Sequence, residues 1–189
     1  MESLLHKDEQ LLIYLNNLGT EQWDSFWFAI TNQFNWVPLF LLVFALFFKK
    51  FGFIKGLFII LFTVVLVVFT DQFTNFIKNL TERLRPCNVE SLQDSLRQFS
   101  YKPRGFSFFS GHACLSTTFT VFSILLLKKH FKLIFIMILF PILFGYSRIY
   151  LGVHYPIDVT SGYLMGTLLG ILFFKLLSYF YLKIFKKII

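Results

Sequence analysis

The feature that most limits what this chain can become is a series of long apolar stretches separated by short polar turns. A helix needs about 20 mostly apolar residues to cross the roughly 30 Å hydrocarbon core of a bilayer. Residues 57–77, 106–127, 133–149 and 157 to about 181 meet that requirement. A fifth stretch, 26–48, is interrupted by Thr31, Asn32 and Gln33 and again by Pro38. Its unbroken part would reach only about 20 Å as a helix. It therefore reads as a longer helix kinked near Pro38, or as an interfacial helix feeding a short span. Ahead of it, Leu4, Leu5, Leu11, Leu12 and Leu15 fall on one helical face, with Lys7, Asp8 and Glu9 largely off it. That pattern predicts an amphipathic helix lying on the membrane surface. The first ten residues lack a basic start and an apolar run, so no removable signal peptide is expected.

Composition agrees with a bilayer environment. Hydrophobic residues make up 56% of the 189 and charged residues only 15%, against about 25% charged in ordinary soluble domains. Too little polar surface remains to coat a water-soluble globule, which excludes a cytosolic enzyme, a disordered tail or a disulfide-stapled secreted module. The expected fold is all-α: one membrane-embedded domain over 1–189. It is an integral-membrane helical bundle of about five transmembrane spans, six if the N-terminal helices count as one, plus the interfacial amphipathic helix.

The net charge of +8 could suggest a nucleic-acid partner, but the charges segregate. The turn at 49–55, the turn at 127–132 and the C-terminal segment hold Lys49, Lys50, Lys55, Lys128, Lys129, Lys132, Lys175, Lys183, Lys186 and Lys187, and no acid. All acids and all arginines belong to the opposite side. Short lysine-rich loops stay in the cytoplasm, so the N-terminus, the 79–105 loop and the 148–154 turn are expected outside it.

Polar residues gather at that extracytoplasmic end in three clusters. The first runs from Lys78 to Arg85-Pro86. Positions seven apart share a helical face, so a continued helix would aim both cations into one pocket, and Pro86 limits further helix. The second is Ser110-Gly111-His112, opening the third span. The third is Ser147-Arg148 followed by His154 and Asp158, with Pro156 suited to the first turn of a helix. Together they make an anion site. Lys78, Arg85 and Arg148 supply charge, and arginine can grip two oxygens at once. Two helix N-termini offer free N–H groups, and Gly111 admits close backbone approach. One histidine can attack while the other donates a proton. Asp158, four residues after His154, can fix the imidazole tautomer and stabilise the charge that follows attack. No cluster has zinc-ligand spacing and no glycine-rich nucleotide loop occurs, so phosphoryl transfer to histidine without metal or other cofactor is the expected chemistry.

Lys-x6-Arg-Pro, then Ser-Gly-His, then Ser-Arg-x5-His-x3-Asp resembles the three-part signature of the type 2 phosphatidic-acid phosphatase superfamily. That superfamily includes membrane lipid phosphate phosphatases and soluble vanadium haloperoxidases, and the apolar spans favour the lipid branch. The resemblance implies that His154 is the nucleophile, that Asp158 supports it, and that His112 protonates the leaving oxygen. It also implies that Lys78, Arg85, Ser110, Gly111 and Arg148 bind phosphate. Phe109 stands where the family commonly has proline before Ser-Gly-His, a departure that touches loop rigidity and substrate shape. The implied activity is hydrolysis of a phosphomonoester or pyrophosphate on a lipid head group, facing the periplasm or exterior of a bacterial inner membrane. Candidate substrates are undecaprenyl pyrophosphate, phosphatidylglycerol phosphate, phosphatidic acid and lipid A phosphates. A phosphotransferase using the same phosphohistidine and a non-catalytic head-group carrier are the alternatives. Partners are the lipid phosphate and surrounding lipids, not nucleic acid, and no oligomeric state is implied.

Several residues carry plainer expectations. Arg83, outside the motif, reads as an interfacial anchor, and His6 and His130 as surface residues. Asp71, Asn75 and Lys78 follow i, i+4, i+7 spacing. Asp71 is thus expected to face the site about 10 Å deeper, paired with a cation or anchoring a polar network, unless water near the interface solvates it. Cys87 and Cys114 read as free thiols ahead of a bridge. The 88–105 loop, with Glu90, Asp94, Arg97, Lys102 and Arg104, is expected to rim the site. Trp23, Trp27 and Trp36 suit the membrane interface.

Overall fold

The computed structural model describes residues 2–188, and among them every regular element is helical. Helix α1 is Glu2–Asn17 and α2 is Glu21–Thr31. A 3₁₀ turn over Gln33–Trp36 leads into α3, Val37–Phe51, and then α4, Phe53–Thr81. After a 3₁₀ turn at Pro86–Asn88 and the short α5, Glu90–Gln93, comes α6, Gly111–Leu127. A 3₁₀ segment, Lys132–Ile138, runs into α7, Leu139–Tyr150, and α8 spans Pro156–Phe185. The protein is an integral membrane helical bundle. Among the described residues, four segments are long and apolar enough to cross a bilayer: Gln33–Phe51, Phe53–Thr81, Lys132–Tyr150 and Pro156–Phe185. The shorter α6 lies between them and is mostly buried by them.

Three glycines decide how the bundle closes. Gly162, Gly166 and Gly170 recur every fourth residue on one face of α8. A Cβ at these positions would lie 2.8 Å from the carbonyl oxygen of Ser110, 2.5 Å from that of Cys114 and 2.9 Å from that of Thr118. The backbones of α6 and α8 therefore touch directly. In a bilayer, where lipid tails are as apolar as leucine, such small-residue contacts drive helix association. Below the seam, Phe47, Ile59, Phe122, Leu127, Phe173 and Leu177 form an aromatic-rich core.

The break in the 26–48 stretch falls at Asn32, whose side chain accepts the N–H of Phe34. Pro38 sits in the first turn of α3, where its missing N–H costs nothing. Of the two arrangements the sequence allowed, the structure has the second: a separate helix feeding the span. The 106–127 stretch also starts late. Ser110 caps α6 by accepting the N–H of Ala113, and residues 106–110 lie outside the helix.

The N-terminal helix packs on the bundle through a stripe that the leucine pattern did not single out. Asp8, Leu12 and Asn16, one per turn, are buried, while Leu4, Leu5 and Leu11 are exposed. Asn16 donates to the carbonyl of Tyr150 at 2.6 Å and accepts the N–H of Arg97 at 2.8 Å. In an apolar surrounding the polar groups are the ones that need partners, so the polar stripe turns inward.

The lysine-rich turns lie at the end of the bundle opposite the three polar clusters. At one end Lys49 lies over the ring of Phe131 at 5.9 Å and Lys55 over Phe185 at 5.7 Å. The other end gathers the C-termini of α4 and α7 with the N-termini of α6 and α8.

Candidate active site

Each cluster reaches the site by a local device. Helix α4 stops at Thr81 because Glu82 takes a left-handed conformation, φ 49°. Lys78 and Arg85 therefore do not share a continued helical face, as their spacing suggested; the chain turns back, and Arg85 in extended backbone re-enters from outside. Gly111 follows the Ser110 cap, and a Cβ there would stand 3.7 Å from Lys78 Nζ and 3.3 Å from Thr74. Between α7 and α8 the chain reverses through Gly152, φ 64°. Pro156 then opens α8, with Asp158 accepting the N–H of Tyr155 at 3.0 Å. The two helix starts are stitched together, since the N–H of Ser110 donates to the carbonyl of Asp158 at 3.0 Å.

His154 is at the centre and almost fully buried. Arg85 Nη1 stands 3.0 Å from its Nε2. A guanidinium can only donate, so Nε2 is the acceptor and the ring proton sits on Nδ1. That side meets Ser107 Oγ at 3.3 Å and Asp158 Oδ2 at 3.4 Å. Ser107 in turn donates to Asp158 Oδ2. Burial, and then the charges of Arg85, Arg148 and Lys78, hold the imidazole neutral well below its ordinary titration range. A neutral ring with its Nε2 lone pair directed at cations can attack an electrophile that those cations bind.

The cations are themselves fixed. Arg85 donates from Nε to the carbonyl of Gly105 at 3.1 Å and from Nη1 to that of Val153 at 3.2 Å. Arg148 donates to Thr31 Oγ1 at 2.5 Å and to Tyr101 Oη at 3.4 Å, while its Nε is buried without a partner among the described residues. A buried donor left unmet is costly, and an anion between Arg148, Arg85 and Lys78 would meet it. His112 lies half-buried against Phe144, ring centroids 4.8 Å apart, with its ring nitrogens free of hydrogen bonds to the described residues. Phe144 also walls an apolar cavity of about 340 Å³ between α3, α4, α6 and α7, lined further by Trp36, Phe40, Thr63, Ser116 and Phe119. The polar site thus adjoins a space suited to hydrocarbon.

All eight residues singled out from the sequence gather at this end of the bundle. Others were missed. Ser107 carries no signal beyond being a hydroxyl in an apolar run. Arg83 is no interfacial anchor: it donates to Asp158 Oδ1 at 2.7 Å and to Asp8 Oδ2 at 2.8 Å. Asp8, which the sequence places off the leucine face of α1, is 3% exposed. Thr31, read as an interruption, is a partner of Arg148. Asp71 is exposed and bonds its helix neighbours Gln72 and Asn75, while Thr70 and Thr74 are the buried residues of that part of α4. From the 88–105 loop, Arg97 points away from the cations and pairs with Asp24 at 2.8 Å, and Tyr101 is the residue that reaches in. Phe109, in place of proline, is buried among Phe73, Cys114 and Leu169, so packing holds that turn. Cys87 and Cys114 are free thiols.

Known proteins share this architecture. The chain is 34% identical over 177 residues to a lipid A 4′-phosphatase of Bacteroides thetaiotaomicron, covering 92% of this chain and 78% of the relative. A lipid A 4′-phosphatase of Porphyromonas gingivalis is 28% identical, with 95% and 76% covered. An undecaprenyl-diphosphatase of Sulfolobus acidocaldarius is 29% identical over 86% of this chain and 67% of its own length. Among solved structures, a transmembrane PAP2-type phosphatidylglycerolphosphate phosphatase from Bacillus subtilis superposes with a TM-score of 0.73 at 24% identity. It covers 97% of this chain and 89% of that one. Aquifex aeolicus LpxE gives 0.66 at 25% identity, with 88% and 93% covered. The profile of the PAP2 superfamily matches residues 55–182, which include all three polar clusters. The chain belongs to the PAP2 superfamily and is an integral-membrane phosphatase of that family.

Proposed function

We propose that this phosphatase removes phosphate from a lipid head group through a phosphohistidine on His154, outside the cytoplasm and without a metal ion. The observation that carries the reading is the fixed tautomer of His154, with Nε2 facing Arg85 and Nδ1–H facing Asp158 and Ser107. In the first step Nε2 attacks phosphorus in line and the bond from phosphorus to the lipid oxygen breaks. That oxygen takes a proton from His112, and Asp158 stabilises the imidazolium character left on His154. In the second step water attacks the phosphohistidine while His112 accepts its proton, and inorganic phosphate leaves. Lys78, Arg85, Arg148 and the N–H groups at the start of α6 hold the equatorial oxygens.

A lipid substrate is supported by the apolar cavity beside His112. Lipid A 4′-phosphate heads the candidates, because the two relatives carrying that name match over more than nine-tenths of this chain. The extracytoplasmic side follows from the lysine-rich turns at the other end of the bundle. The test is phosphate release in detergent from lipid A, phosphatidylglycerol phosphate, phosphatidic acid and undecaprenyl pyrophosphate, with and without chelator. Release from lipid A that survives chelator and is lost in His154→Ala is expected. Loss to chelator would overturn the metal-free step, and phosphate appearing on an added hydroxyl acceptor in place of free phosphate would make the enzyme a transferase. Inactivity on every lipid would favour a head-group carrier.

A further inference from the structure

Arg83 links two buried carboxylates from opposite ends of the sequence. Its Nη1 donates to Asp158 Oδ1 at 2.7 Å and its Nη2 to Asp8 Oδ2 at 2.8 Å, with the guanidinium 3.7 Å from the ring centroid of Tyr155. The second oxygen of Asp8 accepts the N–H of Ile157 at 2.9 Å. Ile157 is in the first turn of α8, so a residue of α1 accepts one of the N–H groups that the start of that helix leaves without an intrahelical partner. The backbone carbonyl of Arg83 accepts the N–H of Ser107 at 2.7 Å. One residue therefore holds both groups that face His154 Nδ1: Asp158 through its side chain and Ser107 through its backbone.

The division of Asp158 between its oxygens matters. Oδ2 serves Ser107, the N–H of Tyr155 and His154, while Oδ1 is held by Arg83. Asp158 has no solvent exposure and Asp8 only 3%. Without Arg83 the carboxylate behind His154 has no cation in direct contact, and a buried charge without a partner is strongly disfavoured. Arg83 stands on the side of Asp158 away from His154, and neither it nor Asp8 hydrogen-bonds Lys78, Arg85 or Arg148. Asp8 also lies outside the segment that matches the PAP2 profile.

We infer that Asp8 and Arg83 are positioning residues for the transfer step: Arg83 holds Asp158 charged and oriented behind His154, and Asp8 locks Arg83 and the start of α8 in place. The N-terminal helix is thereby part of the catalytic apparatus. This rests on the reading of His154 as nucleophile.

The experiment measures kcat and KM for phosphate release by the full-length detergent-solubilised enzyme and by Arg83→Gln, Arg83→Lys, Asp8→Asn and Asp158→Asn. Arg83→Gln is expected to lower kcat about 10–100-fold, the range seen when the hydrogen-bond partner that orients a metal-ligating histidine is removed, with KM changed less than about 3-fold. Arg83→Lys should recover part of the loss, and Asp8→Asn should lose less than Arg83→Gln. Arg83→Gln added to Asp158→Asn should cost nothing further, because residues acting through one another are not additive. A raised KM at unchanged kcat would overturn the inference, as would additive losses with Asp158→Asn. If Arg83→Gln fails to fold, Arg83→Lys and Asp8→Asn decide: wild-type kcat in both refutes it. Inactive His154→Ala alongside fully active Arg83 and Asp8 variants would sink this inference alone. Active His154→Ala would sink the nucleophile reading itself.

Discussion

Replacing Gly162 by alanine tests whether the helix seam sets the site geometry. The new Cβ would stand 2.8 Å from the carbonyl oxygen of Ser110, 2.9 Å from Ala113 Cβ and 3.2 Å from the N of Cys114. Ordinary contact begins near 3.4 Å, and two of these neighbours are backbone. Helix α6 must therefore move by about 0.5 Å relative to α8. Overpacking of this kind costs about 1–3 kcal/mol, while alanine returns about 1 kcal/mol of helix propensity, leaving a net loss of about 0–2 kcal/mol. The displacement falls between Ser110-Gly111-His112 on one helix start and His154 with Asp158 on the other. A misplacement of 1 Å can cost about 100-fold, so half of it is expected to lower kcat about 10-fold. Gly170→Ala is the control. It forces similar overlap, 2.8 Å to Val121 Cβ and 2.9 Å to the carbonyl of Thr118, but two turns away, about 12 Å along α8. Its thermal midpoint in detergent should fall by a similar amount while kcat stays within about 2-fold of wild type. Equal activity losses in the two variants, or full activity in Gly162→Ala with a lowered midpoint, would show that the seam does not set the site geometry.

Three other outcomes follow from the geometry. Ser107→Ala removes a hydroxyl that donates to the Asp158 carboxylate, a charged hydrogen bond of about 1.5–3 kcal/mol; steady-state assay should show kcat down about 10-fold or more at little-changed KM. The neutral state of buried His154 makes stability depend on pH. The unfolded imidazole takes a proton near pH 6.5 and the folded one only well below that, so acidification below pH 6.5 should cost up to about 1.4 kcal/mol per pH unit. His154→Gln should flatten that part of a thermal-shift profile. Asp71→Asn should leave both turnover and thermal midpoint unchanged, within about 0.5 kcal/mol, because Asp71 contacts only Gln72 and Asn75.

The spans were legible because bilayer thickness imposes a length on apolar runs, and the gathering of the eight residues at one end of the bundle because they fall in three clusters at the ends of those spans. What escaped has physical causes. The leucine pattern marks a face suited to lipid but says nothing of the face packed on the protein, where α1 presents Asp8, Leu12 and Asn16 to the bundle. Helical spacing was extended past Thr81, where the left-handed Glu82 ends it, and so Arg85 arrives by a route that periodicity does not describe. Arg83 and Ser107 act across 75 and 51 residues of sequence on the same carboxylate, a relation that no local spacing carries. Asp71 shows what spacing leaves open: it allowed both an acid facing the site and one solvated by water, and the structure has the exposed one, bonded to Gln72 and Asn75.

The central claim is that phosphate passes through His154, and the direct measurement is to trap it there. The enzyme is mixed with a substrate lipid carrying labelled phosphate and quenched in alkali, which preserves phosphohistidine, and the labelled peptide is mapped by mass spectrometry. Label is expected on His154, forming before phosphate is released and absent from His154→Ala. Label on another residue, or wild-type turnover by His154→Ala, would contradict it.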